Sequence, residues 1–202
     1  MRNRILHIII FFSIGFLTSC SRTLTYHDYE EYIRDPQNGL IKEKLINGIR
    51  YTVQFRPPEL MVNQYIKAYD TISEGTLENL YKQYGKYYYF KLFISYQNKE
   101  MLRAATNFQQ YSNLMQKMGF GMGKYTSLIS SNADTLQLVD FHFARYFGMG
   151  KSNDILLVFR KDENQAEVLN LYLKEFGLKT GNVRFKFKTS DLVKVEKKKI
   201  KS

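Results

Sequence analysis

The sequence predicts an α+β fold with a mainly antiparallel sheet of about six strands and helices packed on one side. Its 202 residues are 44% hydrophobic, which is enough to bury the core of one domain. Several segments alternate apolar and polar residues with the period of a strand, and others repeat apolar residues every three or four positions, as helices do. Strands and helices do not alternate strictly, which favours antiparallel pairing over a doubly wound parallel sheet.

A hairpin begins the predicted domain. Strands are expected over residues 40–46 and 49–56, joined by Asn47 and Gly48, because an Asn-Gly pair adopts the two positive φ angles of a tight hairpin turn. Alternate residues of the second strand are apolar, so one of its faces is expected to be buried. A Pro-Pro pair then ends the strand and can begin a helix at its first turn.

The remaining elements follow from the same two periodicities. Helices are expected over residues 76–84, 99–118 and 164–176, each followed by a glycine that can end it. Asn98 is the expected N-cap of the longest of these helices. Strands are expected over residues 86–96, 135–147, 154–160 and 182–188.

The first twenty residues have the layout of a secretory signal peptide. Arg2 and Arg4 precede an apolar run of about 13 residues that ends at Leu17. A membrane-spanning helix needs about 20 apolar residues, so this run is too short for a permanent anchor. The one cysteine of the chain, Cys20, follows closely, and a single cysteine excludes an intrachain disulfide and any multi-cysteine metal site.

Leu17, Thr18, Ser19 and Cys20 resemble the lipobox of bacterial lipoproteins, a leucine and two small or polar residues before a lipidated cysteine. The resemblance covers about a tenth of the chain. It implies cleavage before Cys20, a diacylglycerol thioether on the sulfur and an acyl group on the new amino terminus, which together make a stable anchor. In this family an aspartate after the cysteine favours retention at the inner membrane, so Ser21 implies the outer membrane. An ordinary signal peptide with a free cysteine and an uncleaved anchor helix stay open as alternatives.

The expected division has a signal peptide over residues 1–19, a lipidated N-terminus and tether over 20–37, one α+β domain over 38–192 and a basic tail over 193–202. The tether segment is polar, lacks a clear period and ends in turn-forming residues. The charged C-terminal residues are expected to be frayed. Beyond the lipobox, the domain looks similar only to uncharacterised small lipoproteins, which implies no activity.

Sequence motifs for catalysis are weak. The segment from Gly119 to Lys124 is rich in glycine but lacks the spacing of a nucleotide phosphate loop, and Tyr125 stands where that loop needs Ser or Thr. Asp140 and His142 lie two apart on a predicted strand, but no Gly-x-Ser-x-Gly motif or free thiol supplies a nucleophile for such an acid–base pair. The sequence therefore predicts no catalytic residue, metal site or cofactor.

The pentapeptide Phe-Gly-Met-Gly-Lys occurs twice, at residues 120–124 and 147–151. The residues that flank the two copies do not repeat. The copies are either a repeated way of leaving a helix or strand, or two loops that meet in one shared site, and both alternatives stay open.

Positive charge is concentrated near the C-terminus. The net charge of +11 falls to +9 once the two arginines of the signal peptide are removed. Arg184, Lys186 and Lys188 share one face of the last predicted strand, and five further lysines follow. Such a stripe would indicate nucleic acid in a cytoplasmic protein, but export replaces that partner with lipid head groups, glycans and acidic protein faces.

Two non-enzymatic functions are therefore expected, and an enzyme stays open as a third alternative, because the spacing of a carboxylate pair for glycoside hydrolysis is a property of the fold. The first is a structural or accessory subunit of a membrane-associated assembly, held in the membrane by lipid on Cys20 and docked on an envelope protein. The second is an envelope binding module for an anionic lipid, glycan or acidic partner, which would use Arg184, Lys186 and Lys188. Nucleic acid is not an expected partner in either case.

Overall fold

The computed structural model describes residues 24–68, 72–162, 166–198 and 200. The predicted signal peptide and Cys20 lie outside these residues, so the lipobox stays a prediction. Among the described helices, none has both the length and the apolar character needed to cross a membrane.

The described chain combines helices with antiparallel sheets, which confirms the predicted α+β class. Its helices are α1 (Tyr26–Arg34), α2 (Pro58–Ile66), α3 (Glu74–Tyr84), α4 (Phe108–Gln116), α5 (Met122–Tyr125) and α6 (Thr189–Glu196). Its strands are β1 (Ile41–Ile46), β2 (Ile49–Arg56), β3 (Tyr87–Tyr96), β4 (Lys99–Glu100), β5 (Thr126–Ser130), β6 (Thr135–Leu136), β7 (Leu138–Ala144), β8 (Asn153–Arg160), β9 (Val168–Leu173) and β10 (Val183–Lys188). Two 3₁₀ turns, Pro36–Asn38 and Met101–Ala104, and a π-helical turn, Lys117–Gly121, complete these elements.

The strands form two sheets rather than the single sheet of about six strands that the sequence predicts. The first sheet has the order β1-β2-β3-β8-β7, with β4 paired to one end of β3. The second has the order β10-β9-β5-β6. The second sheet exists because two segments without a strand prediction, β5 and β9, are strands.

The predicted hairpin of β1 and β2 is confirmed, with Asn47 at φ 52° and Gly48 at φ 78°. Alternate residues of β2 face the core. They are Ile49, Tyr51, Val53 and Phe55. Phe90 of β3 joins the two sheets, because its ring centroid lies 5.5 Å from that of Phe55 in the first sheet and 4.9 Å from that of Phe187 in the second.

The predicted tether is wrong over residues 26–34, which form α1. Thr25 and Asp28 cap this helix reciprocally, each side chain accepting a hydrogen bond from the other residue's backbone amide. Tyr29 and Ile33, four positions apart, have no exposed surface. Two core contacts in an otherwise polar helix are enough to make it part of the domain, but they give only a faint periodic signal in the sequence.

The predicted boundary between the domain and a basic tail at residue 193 is also wrong. The chain continues from β10 directly into α6, and Leu192 and Val195 of that helix are completely buried. The charged residues of the segment hide these two core residues in the sequence.

The predicted helix over 99–118 is shorter and begins later. Asn98 has φ 57° and lies in the turn between β3 and β4, whereas Asn107 caps α4 by accepting a hydrogen bond from the amide of Gln110 at 2.9 Å. Glu100, on β4, is buried. Gly119 does not end the helix but lies within the π-helical turn.

The predicted helix over 164–176 is wrong, because β9 occupies residues 168–173. Leu169, Leu171 and Leu173 are buried at alternate positions, which is the period of a strand. The segment also has apolar residues at helical spacing, so its sequence fits the period of a helix as well as that of a strand. The strand predicted over 135–147 is divided into β6 and β7 and ends at Ala144.

The register of the first sheet shows which strand termini lie together at each of its two ends. The start of β2, the end of β7 and the start of β8 lie together at one end. The loop of residues 145–152 joins β7 to β8 there, so this end is called the loop end. The ends of β2 and β8 lie at the opposite end. Since β8 has 8 residues, the two ends are about 26 Å apart.

The first and last described helices, α1 and α6, are both fixed at the opposite end, called the terminal end. Arg56, the last residue of β2, binds a glutamate of α1 at 3.0 Å. Lys161, just after β8, binds a glutamate of α6 at 2.7 Å. Leu24, before α1, and Ile200, after α6, pair in a parallel bridge.

Candidate interaction surfaces

The predicted basic residues Arg184, Lys186 and Lys188 lie where the strand alternation places them. All three are exposed on one face of β10, while the residues between them are buried. The prediction that they share a face is confirmed. The structure also shows that they do not belong to one groove.

Arg184 and Lys186 line a shallow groove of about 310 Å³ between β10 and β1. Lys42 and Lys44 of β1 lie on its other side, so four basic side chains meet at this edge. Glu43 also lines the groove, but its carboxylate is bound by an arginine of β2. The sequence does not predict this groove, since nothing in either strand indicates that β1 and β10 are neighbours.

Lys188 lines a different and larger groove of about 850 Å³, called the α6 groove. Its walls come from β9, β10 and α6. The lining residues are Ala166, Glu167, Val168, Lys188, Thr189, Ser190, Val193, Lys194 and Lys197. Within the described part of the chain, none of its three lysines has a carboxylate within 4.0 Å of its ammonium group.

The two copies of the repeated pentapeptide have different backbone conformations. The first copy runs through the π-helical turn into α5. The second is a tight turn in which Phe147 has φ 52° and Gly148 has φ 84°. In the second copy, a Cβ on Gly150 would lie 2.8 Å from the Tyr146 ring, so this glycine permits a close approach. A shared phosphate-binding conformation does not exist.

The two copies nevertheless meet at one groove. Phe120 of the first copy and Phe147 of the second both line a groove of about 520 Å³ beside β7. Arg145 lines the same groove. Phe120, Phe147 and Met149 are 73%, 77% and 86% exposed. These three residues are called the apolar rim. Arg145 lies with its guanidinium carbon 5.9 Å from the centroid of the Phe120 ring.

The loop that carries Phe147 and Met149 is held by buried polar groups. The carboxylate of Glu100 accepts hydrogen bonds from the Gly150 amide at 2.8 Å and from the Asn153 side chain at 3.1 Å. Arg103 donates to the Gly148 carbonyl at 3.2 Å. Large apolar side chains are therefore presented to solvent by a well-bonded loop.

The residues considered for catalysis do not form an acid–base site. Asp140 and His142 are both exposed on β7, and neither makes a hydrogen bond to another described residue. A strand irregularity between Leu138 and Asp140 disturbs the simple alternation expected there. His142 instead lines the groove of the apolar rim.

One group of three possible metal ligands occurs among the described residues, formed by His27, Asp28 and Glu31 of α1. All three side chains are exposed. Asp28 is already engaged in capping α1. Exposed acidic clusters of this kind are common without a metal, and we assign no site here.

A half-buried carboxyl group, that of Glu59, lies at the terminal end. Burial, reinforced by the negative charge of Glu196, raises the pKa of Glu59 to about 7. The Tyr29 hydroxyl lies 3.3 Å from this carboxyl group and 3.1 Å from the carbonyl of Val195. The group joins α1, α2 and α6 to one another, so its role is structural.

Comparisons with known proteins assign no family to the chain. No protein-family model matches it, and neither does any curated protein. The crystal structure of a DUF4426 family protein from Pseudomonas aeruginosa PAO1 is similar to it at 10% sequence identity and a TM-score of 0.38. The match covers 73% of this chain and 91% of that chain. So distant a likeness carries no argument about function.

Sequence reasoning missed two parts of these surfaces. The sequence predicts a frayed tail at Lys194 and Lys197, whereas Lys194 belongs to α6, Lys197 directly follows it, and both line its groove. No sequence pattern predicts Arg145 as a groove residue, because only the fold brings Phe120 and Phe147 to the groove that Arg145 lines. The repetition of the pentapeptide was the one feature of the sequence that pointed to this groove.

Proposed function

We propose that this chain is a non-enzymatic, lipid-anchored lipoprotein of the outer membrane that acts as an accessory subunit of a membrane-associated assembly. The observation that carries the proposal is the separation of Leu24 from the apolar rim. Leu24 lies against Ile200, after helix α6, and follows Cys20 by four positions. The rim lies at the loop end of the first sheet.

This separation supports a membrane-facing end and a partner-facing end. Four residues extend over at most about 14 Å, so lipid on Cys20 would keep the terminal end close to the bilayer. The loop end would then project from the membrane surface by the length of the strands, about 26 Å. Exposed apolar residues at that distance suit contact with a protein.

The chemistry around the rim indicates the kind of partner. The π-helical turn and α5 pack against β7 on the side away from β8, so the groove lies between this turn and the end of β7. Phe120 and Phe147 offer apolar contacts, and Arg145 and Arg103 supply positive charge without a carboxylate within 4.0 Å in the described residues. A partner segment with apolar side chains and an acidic residue fits this groove.

Detergent extraction of the tagged protein from its own cells tests the proposal. We expect a stoichiometric protein partner to be recovered with the wild type and lost with the double variant Phe120→Ser, Phe147→Ser. Phe108→Ser is the matched control, because Phe108 is 81% exposed on α4 and does not line the groove. Recovery of the same proteins with all three forms would contradict docking at the rim.

A second candidate function, binding of an anionic envelope ligand, is favoured by the lysines of the α6 groove that lack a carboxylate partner in the described chain. The two functions are compatible, because the α6 groove and the rim belong to different parts of the fold.

A further inference from the structure

The α6 groove combines an apolar floor with positively charged walls. Ala166, Val168 and Val193 supply apolar surface, and the groove has a volume of about 850 Å³, which admits a phospholipid head group. Lys188 from β10 lines it together with Lys194 and Lys197.

The negative charges near the groove are few in the described chain. Glu167 is the one carboxylate among the residues that line it. Glu196 of α6 is bound to Lys161 at 2.7 Å. Three ammonium groups therefore face one carboxylate, and a phosphate group would meet a surplus of positive charge.

The groove also lies close in the chain to the expected lipid anchor. Ile200, three positions after Lys197, pairs with Leu24, which follows Cys20 by four positions. A three-residue segment spans at most about 10 Å. The last turn of α6 is thus near the point where the anchored segment joins the domain.

From this juxtaposition we propose that the α6 groove binds the phosphate head groups of anionic phospholipids in the membrane that holds the anchor. The inference rests on the proposed function, since lipid on Cys20 is what would bring the groove to the bilayer. Lysine suits the role, because its compact ammonium group binds phosphate as a point charge. The head-group contacts would fix the orientation of the domain and keep the rim directed away from the membrane.

The absence of tryptophan from the chain allows a direct test of this orientation. In Ser190→Trp, the single tryptophan replaces an exposed residue that lines the groove. The lipidated protein is reconstituted into vesicles of phosphatidylcholine, with or without phosphatidylglycerol, that contain a trace of lipid spin-labelled on its head group. Phe147→Trp places the same probe at the loop end.

We expect strong quenching of Trp fluorescence in Ser190→Trp only when phosphatidylglycerol is present, and weak quenching in Phe147→Trp in both vesicles. Each lysine near an anionic surface contributes about fivefold to binding, so Lys188→Glu, Lys194→Glu and Lys197→Glu together should abolish the response to phosphatidylglycerol. Lys99→Glu, Lys124→Glu and Lys151→Glu change the charge equally at exposed positions outside the groove and should preserve it.

Quenching at position 190 that does not depend on phosphatidylglycerol, or that survives the three groove substitutions, overturns the inference. A fluorescence response to glycerol phosphate in detergent, without a response to phosphatidylglycerol vesicles, overturns the assignment to lipid. Flotation with pure phosphatidylcholine vesicles reports the anchor separately. A chain that does not float with them disproves the lipid anchor of the proposed function, whereas a floating chain with an unresponsive probe disproves only the head-group site.

Discussion

The buried carboxylate of Glu100 accepts a hydrogen bond from the backbone amide of Gly150 at 2.8 Å and so ties the loop of the apolar rim to strand β4. The same carboxylate accepts from the Asn153 side chain, whose own oxygen accepts from the Leu102 amide at 2.9 Å. One side chain thus organises the loop end of the first sheet.

Glu100→Ala should destabilise the protein by about 2 to 3 kcal/mol, because it leaves the Gly150 amide and the Asn153 side chain without their buried acceptor. Chemical denaturation measures the loss, and amide hydrogen exchange should show faster exchange at residues 147–151. The matched control is Glu78→Ala on the surface of α3, which should change stability by less than about 0.5 kcal/mol. Equal effects of the two substitutions would contradict this account of the loop.

Glu59 should make the protein less stable as the pH rises. Its pKa in the folded protein is raised to about 7 by burial, whereas its ordinary value is 4.5, so the folded state holds the proton more tightly than the unfolded state between these values. The Tyr29 hydroxyl donates to this carboxyl group at 3.3 Å, and this contact and the charge of Lys161 lower the pKa of Glu59, but they do not offset burial.

The free energy of unfolding should therefore fall by up to about 3 kcal/mol as the pH rises from about 4.5 through 7. Glu59→Gln, which keeps a neutral donor at this position, should lose most of this dependence and should be the more stable protein at pH 8. Urea unfolding of both proteins at a series of pH values checks it. A parallel pH dependence in the two would show that another group is responsible.

Glu175 should have the opposite effect. Partial burial opposes its ionisation, but hydrogen bonds from consecutive backbone amides outweigh burial and hold its pKa at about 2. The donors, at 2.6 to 3.0 Å, are the amides of Gly177, Leu178, Lys179, Thr180 and Gly181. The carboxylate organises the whole loop between β9 and β10.

Because the folded pKa of Glu175 lies below its ordinary value of 4.5, its stabilising contribution is complete above that value and is lost as the pH falls through about 2. Glu175→Gln should cost about 2 kcal/mol at pH 7, since an amide nitrogen then faces backbone donors. The difference from the wild type should shrink below pH 3. A deficit that stays constant on acidification would mean that the carboxylate charge does not matter.

Helix α1 should contribute to the stability of the domain rather than act as a tether. Ile33 is completely buried, so Ile33→Ala should reduce the free energy of unfolding by about 2 to 5 kcal/mol. Leu45→Ala, at a residue that is 63% exposed on β1, is the control and should have little effect. Thermal denaturation distinguishes the two variants. An unchanged midpoint in Ile33→Ala would contradict a stabilising role for α1 and would support the tether prediction.

The sequence predicts best those elements whose apolar residues fit only one period, either that of a strand or that of a helix. Strands β2 and β10 alternate cleanly, and the Asn-Gly pair admits one tight turn, so faces and register follow without knowledge of the fold. The sequence does not predict β9 as a strand, because Leu169, Leu171 and Leu173 share the segment with apolar residues at helical spacing. Only pairing with β5 and β10 decides between a helix and a strand.

The surfaces could be predicted only in part. The face shared by Arg184, Lys186 and Lys188 follows from strand geometry alone. The partners of these residues do not, because Lys42 and Lys194 come from distant segments that the fold brings to opposite ends of the strand. The apolar rim likewise depends on two loops whose meeting is a tertiary contact.

The lipidated cysteine is the central claim, and the mass of the mature N-terminal peptide tests it most directly. The protein is extracted from membranes with detergent, digested, and the peptide that begins at residue 20 is analysed by mass spectrometry. We expect a chain that starts at Cys20 and carries a diacylglyceryl group on the sulfur and an acyl group on the amino terminus. Retention of residues 1–19, or an unmodified Cys20, would contradict it.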